Sequence, residues 1–245
     1  MVAIINSVLS SITAVLALAT VATALPATSV PVSAFGFVDL GRAGSYGALS
    51  AVGITNVGAT VVTGNMGTKG ISITGFPPGV VVGRTDMNNA NSTNAYVDFA
   101  NALTFAKGLV PTVNKAGKTT LDGENFTAGV YKYAGAAGLT GAMTFNGAGD
   151  ANSVWVMQIA ETLITGSESQ IILAGGAKSS NIFWIVGSSA TLGTYSTLHG
   201  SVLASAAITA NTGSTILGGL YAGSSVNFQS TAVTVDANAA KSYLN

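Results

Sequence analysis

Side chains suited to acid–base or metal chemistry are few and scattered in this chain. Histidine occurs once, at His199, cysteine is absent, and the nine acids are spread from Asp39 to Asp236. Asp122 and Glu124 form the closest carboxylate pair, in an expected loop beside Asn125. Hydrolysis of a glycoside needs two carboxylates flanking a groove, and a calcium-type site needs a cluster of oxygen ligands. Neither is legible, and zinc or thiolate chemistry falls with the missing cysteines. No catalytic residue, metal or cofactor is therefore expected. His199 aligns with Leu217 one repeat later, which reads as a surface position and not a base.

What recurs instead is threonine and asparagine at a fixed interval. Thr191, Gly193 and Thr194 are followed by Thr209, Asn211 and Thr212, and then by Asn227, Gln229 and Ser230. Thr162 and Thr165 upstream, and Thr55 near the N-terminus, are assigned to the same face. Placed on adjacent strands, these residues would form columns of small hydroxyl, methyl and amide groups. Their spacing would be about 4.8 Å between strands and about 6.6 Å between alternate residues of one strand. Charged groups hold water in their own geometry, whereas a threonine methyl beside its hydroxyl can hold it in a more ice-like arrangement. Such an array suits recognition of a periodic solid. Threonine is also a good strand former that stacks in ladders, so the same columns could serve stability alone.

The element that would position them is a repeat of eighteen residues: the run from Ser188 to Ala204 lies without gaps over the run from Ala206 to Ala222. Each copy holds three short apolar-alternating pieces separated by Gly or Ser, the pattern of three strands. Three strands and three corners make one turn of a triangular parallel β-helix. Ala190, Leu192, Leu198, Val202 and Ala204 would point inward, as would Ile208, Ala210, Ile216, Leu220 and Ala222. Stacking of successive turns creates the core, since no single turn buries its own apolar face. An N-terminal copy is read by matching Asn56–Val61 to Asn211–Ile216. One helix is expected over about 86–107, stopped by Gly108 and Pro111. Tyr96, Phe99, Ala100, Leu103 and Ala106 fall on one side of it, and the outward residues Phe183, Ile185, Leu203 and Tyr221 offer the surface they need.

Composition narrows the partners. Nine basic and nine acidic residues give zero net charge, and charged residues make up 7% of the chain. Nucleic-acid binding needs clustered Lys and Arg, so it is excluded. Between Lys178 and Asp236 no residue is charged. Residues 1–24 lack charge, carry the apolar run Ile12–Ala19 and end in Ala22-Thr23-Ala24, which reads as a secretory signal peptide. An uncleaved membrane anchor is the alternative. Residues 25–245 are then one secreted, extracellular domain, monomeric and free of the membrane once cleaved. The sequons Asn91-Ser92-Thr93 and Asn125-Phe126-Thr127 are compatible with export from a eukaryote.

The chain resembles a known family through motifs spread over 39–235. These include Gly44-Ser45-Tyr46-Gly47-Ala48-Leu49-Ser50-Ala51, Ile54-Thr55-Asn56, Thr63-Gly64-Asn65-Met66-Gly67 and Thr74-Gly75-Phe76-Pro77-Pro78-Gly79. They continue with Thr127-Ala128-Gly129-Val130-Tyr131-Lys132, Ser153-Val154-Trp155-Val156-Met157-Gln158-Ile159 and the run Asn181–Gly193. In this order they are similar to the secreted ice-binding (antifreeze) proteins of cold-living microbes. The resemblance implies a mainly β fold: a discontinuous right-handed β-solenoid of about six coils with a long helix alongside, its N-terminal coil inserted next to the C-terminal one. It also implies an ice crystal surface as partner, inhibition of ice growth and recrystallisation, and no catalytic centre. Thr209-Ala210-Asn211-Thr212 fits the Thr-Ala/Gly-x-Thr/Asn pattern of some members, while Thr191-Leu192-Gly193-Thr194 and Asn227-Phe228-Gln229-Ser230 depart from it.

Two other readings compete. A β-helical enzyme would need the carboxylate pairs missing above. A carbohydrate-binding or adhesive module would need exposed aromatics, for which Tyr195 and Tyr221 are the candidates.

Overall fold

The computed structural model describes residues 38–235. The expected leader and its cleavage point near Ala24 lie outside them. Short strands, most of three to five residues, wind into three parallel sheets of nine, seven and eight strands. The seven-stranded sheet sets seven complete three-sided rungs. The expected inward residues are all buried, and with Ile54, Val62, Leu163, Val226 and Val233 they form one continuous core. Towards one end the core is aromatic, with Phe126, Phe145, Trp155 and Trp184 in ring contact.

Spatial order departs from chain order at one place. The strand Tyr46–Ser50 lies between Leu220–Ala222 and Asn65–Thr68, so the N-terminal rungs stack on the last C-terminal one. The chain then returns through a helix, Ala90–Gly108, and starts the remaining rungs from the far end at Val113–Asn114.

The eighteen-residue register holds between the runs 188–204 and 206–222: Ala190 pairs with Ile208, Thr191 with Thr209, and Thr197 with Thr215. Elsewhere it changes. Leu163 pairs with Ala190 and Trp155 with Ile182, because the intervening rung carries an extra loop around Gly175–Asn181. Thr215 pairs with Ala232, one residue short of eighteen. The N-terminal copy is also corrected by one residue. Asn56 pairs with Phe228 and so shares a column with Ala210, not Asn211. Asn56 is accordingly buried, its amide donating to the Gly58 and Gly75 carbonyls at 2.8 Å each.

The helix starts at Ala90, four residues later than expected, because Asp86 belongs to the strand Thr85–Met87 and Asn89 is the N-cap. The Asn89 side chain accepts from the Ser92 amide at 3.0 Å, and the Ser92 hydroxyl accepts from the Asn89 amide at 3.2 Å. This reciprocal box satisfies two donors that a bare helix start leaves unpaired. At the other end Gln158 donates to the Ala106 and Leu109 carbonyls at 2.8 and 2.9 Å. The buried stripe is Ala95, Phe99, Ala102 and Ala106, flanked by Tyr96 and Leu103. It packs on the outward side of the nine-stranded sheet, against Phe183, Ile185, Leu203 and Tyr221. Phe99 stacks on Tyr221 with ring centroids 6.0 Å apart. Burying a side chain of that size contributes about 1.5–3 kcal/mol. This helix therefore consumes one of the three outer faces and leaves two open.

Candidate functional site

The seven-stranded sheet carries the repeated threonines. Its strands run in the order Ala137–Leu139, Leu163–Thr165, Ala190–Leu192, Ile208–Ala210, Ser225–Gln229, Gly53–Val57 and Ser72–Thr74. Alternation of side chains across each strand puts one residue of every strand into a single outward column. That column reads Gly138, Ile164, Thr191, Thr209, Asn227, Thr55, Thr74. Two residues on, Asn211, Gln229 and Val57 form the next column, while Gly193 at the matching step is buried. Thr162 precedes Leu163 and lies with Ser189 and Ala207 in a third. No member of these columns is charged.

Neighbouring rungs bond across this face. The Thr55 hydroxyl donates to the Asn227 amide oxygen at 2.8 Å, and at the corner the Ser167 and Thr194 hydroxyls lie 2.7 Å apart. Gly193 is a necessity of packing: a Cβ there would run into the Gly166 backbone one rung away. Thr194 and Thr212 border the corner, followed by Tyr195 (φ 55°) and Gly213 (φ 73°) in the left-handed region. Tyr195 is 65% exposed and its ring lies over Gly213.

Three expected members of the face are placed differently: Gly193, buried against the backbone of the rung before it, Thr165 and Ser230. Thr165 points inward and is buried, because Leu163 and Thr165 flank the outward Ile164. Its hydroxyl accepts from the Gly193 amide at 2.9 Å. Ser230 takes a left-handed conformation (φ 48°) like Gly213, so it stands one step further round the corner than Thr212. The shorter offset of Thr215 to Ala232 is the cause. Sequence reading also missed a buried hydroxyl column under this corner, comprising Ser169, Ser196, Ser214, Thr231 and Thr60. Its signal in the sequence is the eighteen-residue step from Ser196 to Ser214.

Asp122, Glu124 and Asp86 are engaged structurally. Asp122 accepts from the Thr140 hydroxyl and from the Thr140 and Gly141 amides, and these bonds hold its carboxyl below the usual range. Glu124 pairs with Lys115 at 2.8 Å. Asp86 is buried where the N-terminal rungs meet the helix. Burial pushes its carboxyl up, but hydrogen bonds from Tyr46 (2.7 Å), Asn89 and Asn91 and the nearby Arg84 charge outweigh that and hold it low. Burial and the same carboxylate push the Tyr46 phenol up to about 12. His199 shares a hydrogen bond with Ser179 at 2.7 Å, and burial lowers its pKa. Among the described residues no group of three His, Cys, Asp or Glu could hold a metal.

Tyr221 is fully buried under the helix, which leaves Tyr195 as the exposed aromatic of the two proposed for sugar stacking. The second open face, on the eight-stranded sheet, is uneven: Ile172, His199, Leu217, Thr234, Thr63 and Val82 mix sizes in one column.

A stack of parallel rungs interrupted by one helix, its N-terminal rungs inserted beside the C-terminal ones, defines a discontinuous β-solenoid. The sequence profile described as ice-binding-like matches residues 48–234, and the chain belongs to that family. An ice-binding protein of Nostoc sp. (strain HG1) is 38% identical over 200 residues, 81% of this chain and 72% of the relative. The crystal structure of the ice-binding protein of the Antarctic ascomycete Antarctomyces psychrotrophicus superposes with a TM-score of 0.81 at 55% identity, covering 82% of this chain and 99% of that one. An ice-binding protein from an Arctic yeast, whose structure was studied for its antifreeze activity, gives 0.76 at 28% identity, covering 82% and 94%.

Proposed function

We propose that this chain adsorbs to ice through the outward face of the seven-stranded sheet and so arrests crystal growth and recrystallisation. The observation that carries this reading is the column Thr191, Thr209, Asn227, Thr55, uncharged and held in hydrogen-bonded register. Thr162, Thr194, Asn211, Thr212 and Gln229 widen it, and Ser230 borders it at the corner. Bound molecules pin the ice front, the surface between them curves outward, and further growth at that temperature becomes unfavourable. Each small group contributes weakly, so affinity comes from many rungs in register at once. A face that must present an extended array has no need of a catalytic centre, and a non-catalytic role follows.

Export fits the same picture, because ice forms outside the cell. We read the chain as secreted and acting as a monomer, with ice as its partner. The experiment is growth arrest and faceting of single crystals in purified protein. Arrest within a measurable temperature gap supports the reading, and crystals that grow as in buffer refute it.

A further inference from the structure

We propose that Asn125 carries an N-linked glycan that covers the open end of the solenoid. This rests on the reading that the chain is exported, and it adds a site to a surface that the ice-contact proposal does not use.

Asn125 opens the sequon Asn125-Phe126-Thr127 and sits in the strand Asn125–Phe126, the last of the eight-stranded sheet. Its register partner is Thr144, an outward residue of the adjoining strand Ala142–Asn146. Asn125 is exposed while Phe126 is buried in ring contact with Tyr131 and Phe145, which fixes the asparagine side chain outward. Its amide has no partner among the described residues. The other sequon differs, since the Asn91 amide donates to the buried Asp86 at 3.2 Å and Ser92 is fully buried in the helix cap.

The place also has a physical need. This strand pairs on one side only, so its other edge presents unpaired backbone groups to solvent. Such an edge is a template for pairing with another chain, and proteins blunt it with charge, proline or a cover. A bulky hydrated glycan would do so here without touching the seven-stranded sheet. The transfer is redox-neutral. The side-chain nitrogen bonds to the anomeric carbon of a lipid-diphosphate-linked oligosaccharide, the sugar–diphosphate bond breaks, the diphosphate leaves with the electron pair, and the amide proton goes to a base of the transferase.

The test expresses the full chain behind a yeast secretion leader and measures intact mass before and after peptide N-glycosidase F. The expected result is a glycan mass that the enzyme removes, that is lost in Asn125→Gln and in Thr127→Ala, and that persists in Asn91→Gln. No mass shift, or an unchanged shift in both Asn125→Gln and Thr127→Ala, overturns the proposal. Ice growth is measured separately with the glycan on and off. Equal arrest in both forms is expected, and arrest appearing only after removal would contradict the assigned placement. Absence of arrest in both forms would count against the ice reading while leaving occupancy of Asn125 to the mass data.

Discussion

Thr55 donates a hydrogen bond to Asn227 at 2.8 Å although the two are 172 residues apart in the chain. The bond crosses the seam where the inserted N-terminal rung meets the C-terminal one, and it leaves the Asn227 amide nitrogen free to face outward. Thr55→Val keeps the shape and removes the donor. It should cost about 1 kcal/mol of stability, the net worth of one hydrogen bond. Thermal hysteresis should fall by clearly more than the loss of one hydroxyl elsewhere on the face, and Thr55→Ser should restore it. Equal hysteresis in Thr55→Val and the native protein would mean that Asn227 needs no orienting partner.

Asp86 joins the same N-terminal rungs to the helix, and its environment sets a pH dependence. Its carboxyl titrates below the unfolded value of about 3.9, so its contribution is present above that pH and is lost as pH falls through the folded pKa. The Tyr46 phenol, raised to about 12, acts at the other limit: its contribution is intact below about 10 and fades as pH rises toward the folded value. Asp86→Ala leaves the Tyr46 hydroxyl buried without its acceptor and should cost about 2 kcal/mol or more at neutral pH. Chemical denaturation from pH 3 to 7 checks it. The native protein should lose stability on acidification more steeply than Asp86→Asn.

Thr165 distinguishes an inward hydroxyl from an outward one. Thr165→Val removes the acceptor of the Gly193 amide and should destabilise by about 1–2 kcal/mol. Hysteresis measured near the melting point of ice, where the variant is still folded, should match the native protein. A selective loss of hysteresis at unchanged stability would put Thr165 back on the contact face.

Much of this architecture was legible because a solenoid repeats its physics at a fixed interval. The inward set Ala190, Leu192, Leu198, Val202 and Ala204 followed from alternation, and the helix partner from the unmatched apolar residues Phe183, Ile185, Leu203 and Tyr221. Errors came where the interval changes. One residue fewer at a corner moved Ser230 round the bend, and one residue of misalignment confused Asn56 with Val57. In strands a slip of one exchanges the inner and outer faces, which is also how Thr165 was mistaken for a surface residue. The Asp86 cluster was invisible for a different reason. It unites Tyr46, Arg84, Asn89 and Asn91, which no period relates, and only folding brings Tyr46 to them.

The two open faces give the most direct comparison. Thr209 and Thr215 are half-exposed threonines of the same rung, on the seven-stranded and eight-stranded sheets respectively. Thermal hysteresis of Thr209→Tyr and Thr215→Tyr, each shown folded by its melting curve, tests which face meets ice. The account predicts that Thr209→Tyr retains a small fraction of native hysteresis and that Thr215→Tyr retains nearly all. Full hysteresis in Thr209→Tyr, with loss in Thr215→Tyr, would contradict it.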